Sequence, residues 1–219
     1  MRLARLLGRR RAKRRAELGY WRERAAIEGE LGAGHFEHLF TQHFGLTRDF
    51  YAGKAMLDVG CGPRGSLEWA HIAGTRLGLD PLADEYRKLR AGEHAMTYVT
   101  GRAERMPFYD ASFDVVSSFN SLDHVEDLDA VIAEIKRVLR PGGQLLLLLE
   151  LRPEPTITEP YALGPEVMER FEPELELVAS ERLEHADPTL YGSLLAAVPW
   201  DDSRAEPRLS ALSARFVRR

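Results

Sequence analysis

A glycine-rich segment carries the residue types that bind a nucleotide-like ligand. Residues 57–65 read Leu-Asp-Val-Gly-Cys-Gly-Pro-Arg-Gly, and glycines at these places let the backbone turn sharply and approach a ligand closely. Asp80 comes about 20 residues later, after a second apolar run, where a carboxylate can accept hydrogen bonds from ribose hydroxyls. This spacing predicts a ribose-bearing cofactor between the glycine loop and Asp80.

The loop has the pattern G-x-G-x-x-G, which is also typical of nicotinamide dinucleotide sites. A glycine turn without any ligand is a further, purely structural interpretation. Asp58 lies two residues before Gly60, where its carboxylate can brace the loop and face a cationic ligand, whereas a pyrophosphate would be repelled. Asp58 therefore favours S-adenosylmethionine, which carries a sulfonium, over a dinucleotide.

His124 is the candidate catalytic base. It follows the fourth apolar run in Asn120-Ser121-Leu122-Asp123-His124-Val125, and the carboxyl ends of parallel strands face the ligand crevice. A histidine there could deprotonate a hydroxyl acceptor. Asp123 could orient the imidazole ring or form part of a metal site with it. The alternative is that His124 only caps or packs the following helix.

Alternating strands and helices must position these groups, which predicts a doubly wound α/β domain. The predicted strands are Lys54–Val59, Arg76–Leu79, Met96–Thr100, Phe113–Ser118, Gln144–Leu151, Leu175–Arg182 and Leu190–Val198. The predicted helices are Ser66–Ala73, Ala83–Ala91, Leu128–Arg140 and Pro165–Phe171. Only a loop separates the last two strands, so we expect them to pair antiparallel. The chain divides into a basic tail (1–16), a helical cap (17–53), the main domain (54–200) and a C-terminal tail (201–219).

Composition and charge narrow the class of protein. The chain has 219 residues, 44% of them hydrophobic, and a net charge of −4, which fits one globular domain. Residues 1–16 carry eight Lys or Arg and no acid, which leaves −12 on the rest. The negative charge of the residues after 16 argues against a nucleic-acid partner. The basic segment is either a solvated helix or, as the alternative, a contact for a membrane surface or polyanion.

Sequence features also predict the cellular compartment. Arg2, Arg5 and Arg9 interrupt any apolar leader, and Cys61 is the single cysteine, so no intrachain disulfide can form. The longest apolar run, Leu145–Leu149, has the length of a strand rather than of a membrane span. We therefore expect a cytoplasmic protein without a transmembrane segment.

Five motifs in a fixed order make the chain resemble a known family. They are LDVGCG at 57–62, GLD at 78–80, AERMPF at 103–108, FDVV at 113–116 and LRPGG at 139–143. Over residues 54–150 the chain resembles the class I S-adenosylmethionine-dependent methyltransferases, especially the methyltransferase type 11 group. The resemblance implies a seven-stranded, mostly parallel sheet of the Rossmann-like methyltransferase fold, an antiparallel last strand and an N-terminal helical lid.

The resemblance also implies which residues bind the cofactor S-adenosyl-L-methionine. They are Asp58, Gly60, Cys61, Gly62, Asp80, Pro81, Ala103, Glu104 and Asn120. Arg102 departs from the family pattern, which often has an acid there that accepts from the adenine amino group. Arginine cannot accept a hydrogen bond, so Glu104 or the backbone at Ala103 is expected to take that role.

The segment before the first strand is rich in aromatic and histidine side chains. The candidate lid and substrate residues are Tyr20, Trp21, Phe36 and His43, and the alternative is that these side chains pack on the sheet. His35, His38 and His43 with Glu37 invite a metal interpretation. No closed ligand set is evident, so we predict an amphipathic helix and no metal site.

Together these features predict methyl transfer from S-adenosylmethionine to a small-molecule acceptor, a hydroxyl of a sugar or another metabolite. Little chain follows the fifth strand to build a domain for a protein substrate. Residues 21–24 and 31–44 resemble bacterial methyltransferases associated with glycan synthesis. The alternatives are a nicotinamide-dependent oxidoreductase on the same type of fold and a non-catalytic cofactor-binding scaffold. RNA methylation through the basic segment is disfavoured by the negative charge of the residues after 16.

Overall fold

A computed structural model describes residues 2–89, 93–205 and 207–219, with the backbone alone for residues 2–7, 9 and 10. Its centre is a seven-stranded sheet. Five strands run parallel: β1 (Ala55–Val59), β2 (Thr75–Asp80), β3 (Thr97–Thr100), β4 (Phe113–Phe119) and β5 (Leu139–Leu151). Leu145–Leu149 of β5 is fully buried, as expected for a strand covered on both faces. The five strands lie within one or two residues of their predicted positions at most ends, and β5 begins five residues early.

The sheet closes with two antiparallel strands, β6 (Leu175–Glu184) and β7 (Ser210–Arg218), in the order β3-β2-β1-β4-β5-β7-β6. The predicted strand Leu190–Val198 is wrong: Leu190–Ala196 is helix α5, started by the Thr189 side chain, which accepts from the Gly192 amide. Short apolar runs do not distinguish strand from helix. Strand β7, which lies between β5 and β6, instead comes from the segment that was predicted to be a C-terminal tail.

Among the described residues, four further α-helices precede or connect the strands: α1 (Arg2–Glu28), α2 (Phe36–Phe40), α3 (Ala83–Tyr86) and α4 (Leu128–Val138). Asp127 caps α4 by accepting from the Ala130 amide at 3.0 Å, as the sequence predicts. The predicted helix Ser66–Ala73 is a series of turns. The predicted helix Ala83–Ala91 continues α3 as a 3₁₀ turn over Arg87–Leu89, and its end lies outside the described residues.

Helix α1 is continuous from the basic segment into the predicted cap, so residues 2–16 share one helix with residues 17–28. Among the described residues, no helix is both long enough and apolar enough to cross a membrane. The division into a tail, a cap, a domain and a second tail stays a prediction.

Two apolar clusters cover the two faces of the sheet. One contains α4 with its side chains Val131, Ile135 and Val138, and it extends to Phe216 of β7. The other contains Phe36 and the buried side chains that follow it in α2. Both faces are covered, which explains the continuous apolar runs of the central strands.

Phe216 offers a test of the position of β7. Its ring is fully buried against Phe171, with the ring centres 5.0 Å apart. We expect Phe216→Ala to lower the free energy of unfolding by about 3–5 kcal/mol, since the ring fills core space that alanine leaves empty. Urea unfolding measures this effect. Val178→Ala, at an exposed position of β6, is the control and should cost below about 1 kcal/mol. Equal small effects in both variants would contradict an interior β7.

Candidate active site

The glycine loop after β1 is pressed against the segment after β4. Gly60 and Gly62 have φ angles of 74° and 55°, in the left-handed region that favours glycine. A Cβ on Gly60 would lie 2.3 Å from the Cβ of Ser121, so no larger residue fits there. The hydroxyl of Ser121 in turn donates to the Val59 carbonyl at 2.6 Å. The loop is therefore packed directly against the segment after β4.

Asp58, on β1, stabilises this loop from the interior of the protein. Its buried carboxylate accepts hydrogen bonds from the hydroxyls of Ser66, at 2.5 Å, and Ser117, at 2.6 Å. Burial raises the pKa of Asp58 to about 6, although the two hydroxyls oppose this effect. Both carboxylate oxygens face the serines. The geometry therefore supports the prediction that Asp58 stabilises the loop, and the side chain does so from within the protein.

Asp80 lies at the end of β2, beside the loop. It is 4% exposed, and its carboxylate accepts from the amides of Leu82, at 2.8 Å, and Gly62, at 3.3 Å. Burial raises the pKa of Asp80 to about 7, and the charge of Glu17 adds to this shift. The structure thus brings the glycine loop and the predicted ribose acid together. Cys61 is buried beneath them, and Pro81 is exposed after β2.

Helix α1 lies across this crevice. The Trp21 ring is so close to the loop that a Cβ on Gly62 would lie 3.3 Å from its Cζ2 atom. Further along the helix, Lys13 donates a hydrogen bond to the carbonyl of His124. The helix therefore covers the crevice from Gly62, beside Asp80, to the segment after β4.

An ion pair holds the end of α1 to the glycine loop. Arg64 donates to both carboxylate oxygens of Glu28, each at 2.8 Å. Hydrogen bonds from Arg64 lower the pKa of Glu28 to about 2. Sequence analysis did not single out either residue, because an Arg and a Glu 36 positions apart carry no local signal.

The predicted lid residues have different surroundings. Trp21 lies on the glycine loop, whereas Tyr20 beside it is 51% exposed. Phe36 is a core residue, and its ring lies 5.6 Å from that of Tyr191. His43 is half-buried, and its Nε2 has no hydrogen-bond partner. Of the four, Trp21 is the one that the structure places against the predicted cofactor loop.

The predicted adenine side is held by ion pairs. Arg102 contacts Glu104, at 3.0 Å, and Glu126, at 2.9 Å, and Glu104 also accepts from the Glu126 amide at 2.9 Å. Burial opposes the charge of Arg102, but the two carboxylates outweigh it and raise its pKa. Arg102 therefore engages the carboxylate that was expected to replace the family's acid. Ala103 between them is half-buried.

The acceptor end begins where β4 stops. Asn120 has a φ of 52°, and its amide donates to the Leu148 carbonyl at 2.8 Å. Asp123 is 1% exposed, and burial raises its pKa to about 7. The Nε2 atom of His124 lies 4.0 Å from Oδ1 of Asp123 and 3.9 Å from Oε1 of Glu159. These distances exceed a hydrogen bond, so Asp123 does not orient the ring by direct bonding.

Two residues of this end escaped the sequence analysis. Glu159 lies in the Pro-rich loop after β5, where no periodicity indicates direction. Tyr191 lies on α5, which was predicted as a strand, and its hydroxyl donates to the Phe119 carbonyl at 3.5 Å. The histidine segment for which a metal interpretation was weighed makes other contacts: Glu37 accepts from Arg48 at 2.9 Å, and His38 contacts Gln42 at 2.9 Å.

Comparison with known proteins agrees with this geometry. Residues 57–147 match a family model described as a methyltransferase domain. The methyltransferase GfsG of Streptomyces halstedii is 31% identical over 137 residues, 59% of this chain and 48% of the relative. Other relatives are named for acceptors as different as sterols and malonyl-[acyl-carrier protein]. The chain spans about half or less of the length of these relatives.

Solved structures show the same fold. An S-adenosylmethionine-dependent methyltransferase from Thermotoga maritima has a TM-score of 0.59 at 16% identity, covering 94% of this chain and 98% of that chain. Geranyl diphosphate C-methyltransferase from Streptomyces coelicolor A3(2), solved with Mg²⁺, geranyl diphosphate and S-adenosyl-L-homocysteine, has a TM-score of 0.56 at 19% identity, covering 78% of this chain and 77% of that chain.

Residues 57–147 thus match a methyltransferase domain, in agreement with the resemblance of the sequence motifs, and the solved structures confirm the predicted fold. The S-adenosyl-L-homocysteine bound in the Streptomyces structure is the demethylated form of the predicted cofactor, S-adenosyl-L-methionine.

The raised pKa of Asp80 predicts a pH effect on stability. A carboxyl whose folded pKa is about 7, above its ordinary value, adds stability below pH ~4 that is lost as the pH rises through 7. Asp80→Asn stays neutral. Between pH 4 and pH 8 its free energy of unfolding should therefore rise, relative to that of the native chain, by up to a few kcal/mol. Each pKa unit of difference corresponds to about 1.4 kcal/mol. Urea unfolding at both pH values measures this difference.

Asp84→Asn is the matched control, because Asp84 is an exposed carboxylate four residues further along the chain. Its change in stability between the two pH values should stay within about 0.5 kcal/mol. A difference for Asp80→Asn no larger than that of the control would contradict the buried, proton-binding state of Asp80.

Proposed function

We propose that this chain transfers a methyl group from S-adenosylmethionine to a small-molecule acceptor, at a hydroxyl of a sugar or another metabolite. The observation that carries the proposal is the joint position of the glycine loop and Asp80. They meet at the carboxyl ends of β1 and β2, inside the segment that matches a methyltransferase domain. This is the edge of a parallel sheet at which ligands bind.

The residues at this edge fit the cofactor. The left-handed backbone at Gly60 and Gly62 turns the loop tightly, and side chains added there would meet Ser121 and Trp21. The amides of Leu82 and Gly62 fix the Asp80 carboxylate, and each oxygen keeps a lone pair for a ribose hydroxyl. Trp21 of α1 lies against Gly62, and the charge of Glu17 acts on Asp80, so α1 occupies the space beside this carboxylate and has to shift when the ribose binds.

When bound, S-adenosylmethionine supplies an electrophilic methyl on a sulfonium, whose sulfur keeps the electron pair of the broken C–S bond. The chain has to align the acceptor oxygen with that methyl and remove its proton. His124 and Asp123 lie beyond β4, at the same edge as the loop, and the His124 side chain is 26% exposed. A proton acceptor at Nε2 of His124 and alignment by the surrounding walls account for these two tasks.

The acidic lining disfavours the alternative cofactor. Glu17 of α1 acts on Asp80 beside the loop, and its carboxylate would repel the pyrophosphate of a nicotinamide dinucleotide. A scaffold without catalysis remains the second candidate, and the acceptor-side variants below distinguish it from an enzyme.

Cofactor choice is tested by thermal unfolding with S-adenosylhomocysteine and with NAD. At 100 times its dissociation constant, S-adenosylhomocysteine should add about 2.7 kcal/mol to stability, and NAD should add nothing measurable. By calorimetry, Asp80→Ala should weaken S-adenosylhomocysteine binding by roughly 1–3 kcal/mol because the ribose loses its acceptor. Asp84→Ala, the exposed control, should keep full affinity. Stabilisation by NAD alone would refute the proposal.

The acceptor end is tested with a labelled methyl group. A screen of sugar and metabolite pools identifies the acceptor, and turnover of His124→Ala is then compared with the native chain. We expect a loss of about 10²-fold or more with S-adenosylhomocysteine affinity nearly unchanged, since the histidine acts on the acceptor alone. His71→Ala, at an exposed histidine, should keep full turnover. Full turnover of His124→Ala would assign His124 a packing role instead.

A further inference from the structure

Three ligand-type side chains converge beyond the end of β4. Asp123, His124 and Glu159 each direct one ligand atom to a common point, and these atoms all lie within 4.8 Å of one another. Asp123 and His124 belong to the 3₁₀ turn after β4, whereas Glu159 comes from the loop after β5. Two separate segments of the chain therefore meet at this point.

One of the converging atoms is buried without a hydrogen-bond partner. Oδ1 of Asp123 belongs to a side chain that is 1% exposed, and it accepts no hydrogen bond. This is also the oxygen that lies 4.0 Å from Nε2 of His124. A buried carboxylate oxygen without a partner costs free energy, which a native structure normally offsets with a hydrogen bond or a bound ion.

The neighbours of the cluster hold Glu159 in place. Its Oε2 atom accepts from the Thr156 hydroxyl at 2.5 Å and lies 3.3 Å from Nε of Arg152. Its Oε1 atom is the one that faces His124, at 3.9 Å. Glu150, the other partner of Arg152, also contacts His185 at 2.6 Å. Oriented carboxylates of this kind are typical of the surroundings of metal sites.

We propose that Asp123, His124 and Glu159 bind a divalent transition-metal cation through Oδ1, Nε2 and Oε1. The observation that carries this proposal is the convergence of these atoms, one of them buried without a partner, at distances too long for mutual hydrogen bonds. The sequence prediction of no metal site stays untested, and the proposal takes up the option, weighed in the sequence, that Asp123 and His124 share a metal.

The distances and the ligand types agree with such an ion. Metal–ligand bonds of about 2.0–2.2 Å place two ligand atoms on opposite sides of an ion about 4 Å apart. Side-chain movements of about 1 Å or less would therefore bring the three ligand atoms within bonding distance of an ion. Two carboxylates and one imidazole suit an ion that accepts both oxygen and nitrogen, such as Mn²⁺. Three protein ligands leave positions open for an oxygen of a small molecule.

This inference deepens the proposed function and rests on it for the role of the ion. An ion beside the crevice would bind the acceptor oxygen and lower the pKa of the acceptor hydroxyl. The hydroxyl proton then passes to water, the new O–C bond forms as the C–S bond breaks, and sulfur keeps the electron pair. His124 acts in this case as a ligand rather than as the base.

Metal binding is tested with the full chain after treatment with a chelator, and the probe is Mn²⁺ followed by electron paramagnetic resonance. We expect one saturable Mn²⁺ per chain. Asp123→Asn, His124→Ala and Glu159→Gln should each weaken binding at least about tenfold, since each removes a ligand. Glu154→Gln removes the same charge from an exposed position of the same loop as Glu159, and it should leave Mn²⁺ affinity unchanged.

Near-ultraviolet circular dichroism and S-adenosylhomocysteine binding establish that each variant is folded. The absence of saturable Mn²⁺ binding to the native chain would overturn the metal site, as would unchanged binding in Asp123→Asn and Glu159→Gln. The cofactor proposal is read out separately, because S-adenosylhomocysteine affinity of the metal-free chain does not depend on the ion.

Discussion

The buried carboxylate of Asp58 joins three parts of the chain that are distant in sequence. Its hydrogen bonds to Ser66 and Ser117 tie β1, the end of the glycine loop and β4 together. A carboxyl group taken from water needs such partners, so this interaction sets the position of the loop. Gly60 can then lie against Ser121, and the Gly62 amide can reach Asp80. The crevice at the edge of the sheet depends on this arrangement.

Sequence reasoning identified the parallel strands because they are buried on both faces and bounded by turns. It failed at Leu190–Ala196, where an apolar run of strand length is a helix capped by Thr189. The strand that pairs with β5 instead, Ser210–Arg218, mixes small and charged residues with apolar ones and carries a weak signal. Its assignment depends on pairing with β5 and β6, which only the folded chain shows.

The candidate site divides in the same way. Asp58, Asp80 and the glycines belong to one local motif, so their proximity could be predicted from spacing. Glu159 lies 35 positions beyond His124 in an irregular loop, and the meeting of these residues results from the path of the chain after β5. The ion pair between Arg102 and Glu104 likewise involves Glu126, a third residue from another segment.

Insertion of β7 between β5 and β6 has a consequence for how the protein is made. The edge of β5 pairs with residues 210–218, so residues 152–209 must be synthesised before that edge is covered. Until then a fully apolar strand, Leu145–Leu149, presents unpaired backbone groups to other chains. The nascent polypeptide is therefore open to wrong intermolecular pairing during this interval, and chaperone capture at this stage would favour a high yield of native protein.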